Sequence, residues 1–197
     1  MNYFIFLFYL IINGLISYSN ARIAGRCYSD AKAQGGWTYF MTWCTIIMAA
    51  CGWTWITLAP TALILGSLGV MKMAYAIGAI ELGYLFLIIP ILGTGLAIWV
   101  DSLTTFYRQR DLASGATAAW NTYATCHNTF AAMSEVPSAF SHVSSLLSND
   151  DGNDNFSAVL MIALVIIALG AGYFITWHIV QSSAREYGQE ILATRND

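Results

Sequence analysis

Glu81 is the side chain in this sequence with the clearest reason to do chemistry. It lies in the 64 residues from Trp37 to Val100, where the only other formal charge is Lys72. An acid inside an apolar run of that length marks an ion path, a proton relay or a contact between helices, because an uncompensated charge in hydrocarbon is expensive. On a helix Glu81 shares a face with Ala74, Gly78, Leu85 and Ile88, and Ala79 and Gly83 lie beside it. Small residues at four-residue spacing let a second backbone come close. Ala74, Gly78, Ala79 and Gly83, with Ala168 and Gly172 near the other end of the chain, are therefore the expected helix-packing positions. Asn13, in the first apolar stretch, completes the intramembrane polar set with Glu81 and Lys72. The structural reading pairs Glu81 with Lys72 or Asn13; the functional reading makes it a carrier of protons or cations.

The remaining reactive side chains form no recognisable catalytic set. Cys27 and Cys126 fall in two polar segments expected on one side of the membrane, where an oxidising compartment would join them in a disulfide. Cys44 and Cys51 are seven residues apart on one apolar run and read as packed small side chains. His127, next to Cys126, lacks any nucleophile motif around it and reads as a packed or solvated histidine. Four cysteines with no CxxC pair and no histidine at ligand spacing point away from a metal. No cofactor motif is present, and the protein reads as non-enzymatic.

The elements that must hold these residues are membrane helices. Hydrophobic residues make up 57% of the 197 and charged residues only 10%, against about 25% in a globular domain. The spacing predicts an all-α integral membrane protein with four transmembrane helices and a large amphipathic helical loop between the third and fourth. Residues 1–19 form the first helix or an uncleaved signal anchor, followed by a polar loop at 20–36. Residues 37–70 form the second, kinked near Pro60, with Trp37, Trp53 and Trp55 towards its ends. Residues 73–100 form the third and 156–181 the fourth, with a polar tail at 182–197. An alternative division turns the chain at Pro60 and crosses twice between 61 and 100, giving five helices. It puts Lys72 in mid-membrane at a cost of about 2.5–3.5 kcal/mol, so four is preferred.

Residues 101–155 read as an extramembrane loop. Trp120, Tyr123, His127 and Phe130, with Ala116 and Ala131, recur at steps of three and four, the spacing of one helical face. A second helix is expected to start at Pro137, in a first-turn position. Lys and Arg counts near the spans are five on one face and three on the other, and the acidic run at 150–154 opposes that bias, so the sidedness stays open. A net charge of −3 with no Lys/Arg run argues against nucleic acid.

The expected partners are the lipid bilayer and other membrane subunits or copies of the chain itself. The expected function is that of a structural or accessory subunit of a larger membrane assembly. A homo-oligomeric channel or proton-coupled carrier using Glu81 is the alternative.

Overall fold

The computed structural model describes residues 3–148 and 155–194, and every element in it is a helix. They are α1 Tyr3–Gln34, α2 Gly36–Ser67, α3 Met73–Gln109, α4 Leu112–Ser148 and α5 Asn155–Thr194. At 1.5 Å per residue each is about 48–60 Å long, enough to cross a bilayer with turns to spare. Four of them, all except α4, are both long and apolar enough to span a membrane. Their outward faces carry large apolar side chains such as Phe4, Phe8, Phe86, Ile89, Ile166 and Phe174. Water would not tolerate so continuous an apolar surface, whereas acyl chains do.

The connections are tight, and their residues explain why. Gly35 alone separates α1 from α2, with φ 67° and ψ −160°, a conformation essentially restricted to glycine. Gly69 ends α2 at φ 70°: its N–H donates to the Gly66 carbonyl and the Val70 N–H donates to that of Leu65. That pair of bonds is the Schellman closure, which needs a left-handed residue at this position. Arg110 at φ 53° makes the corresponding turn after α3, and Asp111 then caps α4 by accepting a 2.7 Å bond from the Ser114 N–H. Hydrogen bonds from the Ser114 N–H and hydroxyl and from the Ala113 N–H hold the Asp111 carboxyl below the usual carboxylate range.

The helix α2 sits at the centre, packed on α1, α3 and α5. One core cluster joins Leu58 and Ala62 of α2 to Tyr75, Ala76 and Ala79 of α3 and to Met161, Val165 and Ala168 of α5. A second joins Ala21 and Ala24 of α1 to Ile46 and Ala49 of α2 and Val180 of α5. Small residues set these approaches. A Cβ at Gly172 would lie 2.7 Å from both the Ala50 carbonyl oxygen and the Thr54 backbone nitrogen, atoms that cannot swing aside. Gly172→Val should therefore cost about 3 kcal/mol by overpacking, seen as a lower Tm in lipid nanodiscs. An unchanged Tm would contradict the close α2–α5 contact.

Several boundaries differ from the sequence reading. The expected polar loop at 20–36 is the last part of α1 and the turn at Gly35; α1 simply continues beyond its apolar half. The third span extends to Gln109, and the polar tail from 182 is helical to Thr194. Pro60 is inside α2, as the preferred division has it, whereas Pro137 is inside α4 and not in a first turn. Residues 61–100 do not split into two crossings; the only break between 61 and 100 is the turn before Met73. The acidic run 150–154 lies outside the described residues.

The largest difference concerns 101–155, expected as a loop with two helices. It forms the end of α3 and then one helix, α4, which lies antiparallel along α3 for its whole length. The contacts climb in order. Gly115 faces Phe106, Trp99 Nε1 donates to Thr122 Oγ1 at 2.9 Å, His142 meets Glu81, and the Tyr75 hydroxyl donates to the Leu146 carbonyl at 3.4 Å. The start of α5 returns to the start of α3, where the Lys72 N–H reaches Ser157 Oγ at 3.5 Å. At its other end Ser183 Oγ donates to the Arg22 carbonyl at 2.9 Å. Helix α5 thus runs parallel to α1 and α3, and α4 is the segment that brings the chain back across the bundle.

Candidate intramembrane groove

Because α4 makes its extensive contact with α3, a groove of about 350 Å³ opens between α1 and α4, over a floor made by α2 and α3. It lies at mid-bundle: Cys51 and Gly52, the middle residues of α2, and Ile91, the middle residue of α3, all line it. Helix α1 contributes Asn13, Ser17 and Asn20; α2 contributes Trp55; α3 contributes Tyr84; and α4 contributes His127, Asn128 and Glu135. This is a dense polar set for such a depth. Gly52 lets α1 settle against α2, with Ser17 on top of it and 3% exposed.

Few of these groups satisfy one another. Asn13 Nδ2 donates to the Tyr9 carbonyl at 3.0 Å, which leaves its amide oxygen for another donor. Trp55 Nε1 is a buried atom without a hydrogen-bond partner, and the Tyr84 hydroxyl has no neighbour to bond other than the Glu135 carboxylate beside it. His127 stacks on Tyr123 at 5.9 Å between ring centres. Glu135 is the only formal charge lining the groove, and no ion pair reaches it among the described residues. It is five residues, about 7.5 Å, from Phe130, the middle residue of α4.

Beside the groove stands the one acid–base contact between α3 and α4. Glu81 Oε2 and His142 Nδ1 are 2.5 Å apart, three residues along α3 from Tyr84 and seven along α4 from Glu135. The partner of Glu81 is thus His142, and neither Lys72 nor Asn13. Lys72 caps the start of α3 at the end of the bundle, and Asn13 faces the groove. Of the expected packing residues, Ala79 and Ala168 are buried, Gly78 meets Leu146 and Met161, Gly83 meets Leu58, and Gly172 meets Thr54. They are consumed inside the bundle, while Ala74 is exposed. The expected Cys27–Cys126 bridge is not made: both are free, exposed thiols, on α1 and α4. Among the described residues no cluster of His, Cys, Asp or Glu could hold a metal ion.

A second, shallower space of about 560 Å³ lies near the turn between α3 and α4, bordered by Cys27, Thr42, Asp101, Ser102 and Asp111. Its carboxylates are already engaged. Asp101 accepts a 2.7 Å bond from Trp37 Nε1, and Asp111 caps α4.

The residues that sequence reasoning passed over are Glu135, His142, Tyr84 and Asn128. One signal was present: in 37 residues α4 carries a single formal charge, Glu135, which is too few for a solvated helix of that length. Fold and groove together define a multi-pass helical membrane protein with a polar recess at mid-bundle. Comparison with protein-family models, curated proteins and solved structures finds no match for this chain.

Proposed function

We propose that the protein is a non-enzymatic accessory subunit of a larger membrane assembly, and that the groove between α1 and α4 receives a transmembrane helix of another protein. The supporting observation is the groove itself. Lipid tails offer no hydrogen bonds to Asn13, Asn20, Asn128, Trp55 Nε1 and the Tyr84 hydroxyl, so a bilayer-facing recess lined by them is an incomplete interface. The aromatic face of α4, with Trp120, Tyr123, Phe130 and Phe140 exposed, suits lipid or a flanking helix. The small-residue faces do not serve this role, because α2, α3 and α5 already use them on one another.

Native mass spectrometry of the protein extracted in its own lipid should show a second polypeptide at fixed ratio. A monomer alone, or a closed homo-oligomer alone, would contradict the proposal.

The contact between Glu81 and His142 favours a second reading, a proton-coupled carrier in which the α3–α4 seam relays a proton. In that reading Glu81→Gln changes the pH dependence of flux in proteoliposomes while the bundle stays folded. In the accessory reading it changes no flux.

A further inference from the structure

Resting on the accessory-subunit reading, we infer that the helix received by the groove carries a lysine or arginine at mid-membrane, and that Glu135 is its counter-ion. Glu135 is an exposed residue at the edge of a recess that is otherwise neutral or weakly basic; its neighbour there is the Tyr84 hydroxyl, and no described Lys, Arg or His pairs with it. Once a second helix covers the recess, a carboxylate there calls for a cation beside it. The surrounding groups suit an incoming ammonium or guanidinium. The amide oxygens of Asn13 and Asn128 accept hydrogen bonds, and the aromatic faces of Trp55 and Tyr84 attract cations.

Among the described residues, a second copy of this chain offers no such cation. Arg22, Arg26 and Lys32 lie in the second half of α1, with Arg22 and Arg26 already facing Glu186 and Glu190. Lys72, Arg108 and Arg110 flank the apolar part of α3, and Arg185 is near the end of α5. None lies at the level of Glu135 on an outward face. The occupant is therefore a different protein, identified by one basic residue in the middle of an apolar helix. The match would set both register and partner choice, since a helix without the base covers Glu135 without supplying a counter-charge.

The test places a photo-crosslinking benzoylphenylalanine at Ala131, one turn from Glu135 in the groove wall, in the full-length protein in its native membrane. The crosslinked helix is then identified by peptide mass spectrometry. The expected result is a helix with Lys or Arg within one turn of the crosslink. Glu135→Gln should lower recovery of the partner by about thirtyfold, the loss that follows breaking a desolvated charge pair. Glu135→Asp should retain it, and Glu135→Lys should be rescued when the partner's base is changed to Glu. Circular dichroism of each variant checks that the bundle still folds. A crosslinked helix without a base at that level, or undiminished recovery with Glu135→Gln, overturns the counter-ion and leaves the accessory role standing. Absence of any second polypeptide removes both.

Discussion

Replacing Glu135 by Leu will stabilise the isolated protein while abolishing its association with a partner. The carboxyl group lies at mid-bundle with no cation beside it among the described residues, and in the reading in which α4 crosses the bilayer an acid there costs about 2.5–3.5 kcal/mol on insertion scales. Leucine fills a similar volume without that cost. The Tm of the Glu135→Leu protein in nanodiscs should rise by several degrees, and the partner should vanish from native mass spectra. Interaction sites are where stability is given up in this way, because a residue kept for a partner is a liability without one. A fall in Tm would show instead that Glu135 is satisfied within its own chain, and the groove would lose its main reason to be an interface.

The second large effect is expected at the Glu81–His142 contact. Changing His142 to Leu leaves a carboxyl group at membrane depth with no partner, and should cost about 2 kcal/mol. Changing both residues to Leu removes the need for the partner along with the partner. The double variant should recover most of the loss, a coupling that a double-mutant cycle reads directly. Additive losses would mean that the two side chains do not interact in the bilayer. The same pair of proteins separates the functional readings. The Glu81→Leu/His142→Leu double variant keeps its partner if the contact only fastens α4 to α3, and loses proton-coupled flux if the seam is a relay.

The four apolar helices were legible because each carries its own signal: long runs without charge at Trp37–Leu58 and Phe156–Val180, and the turn residues Gly35 and Gly69 at the junctions. Helix α4 was harder to read because its apolar and polar residues alternate around the helix. Ser, Thr and Ala face α3, as Ser114, Ala118 and Ala139 do, and the aromatics face outward. That is an inverted pattern, with the small residues packed and the aromatics exposed. Serine and threonine hydroxyls at membrane depth need no water, since they bond to backbone carbonyls one turn back. Thr122 to Ala118, Thr129 to Thr125 and Ser134 to Phe130 do so.

With 101–155 read as a loop, nothing in the sequence brings His142 beside Glu81, whose expected partners are Lys72 and Asn13. The groove could not be read from sequence in any case. It depends on which neighbour α4 chooses, and that choice rests on contacts between residues 61 positions apart, such as Glu81 and His142.

An intramembrane groove requires α4 to cross the bilayer, and thiol labelling of sealed, oriented vesicles tests that most directly. Single cysteines would be placed at Leu68, Leu112 and Thr194 in a background carrying Cys27→Ser, Cys44→Ala, Cys51→Ala and Cys126→Ser. A membrane-impermeant maleimide should label Leu112→Cys and Thr194→Cys from the same side and Leu68→Cys from the opposite one, because α3 and α5 run in the same direction. Labelling of Thr194→Cys together with Leu68→Cys, with Leu112→Cys on the other side, would place 112–148 outside the membrane and remove the intramembrane groove.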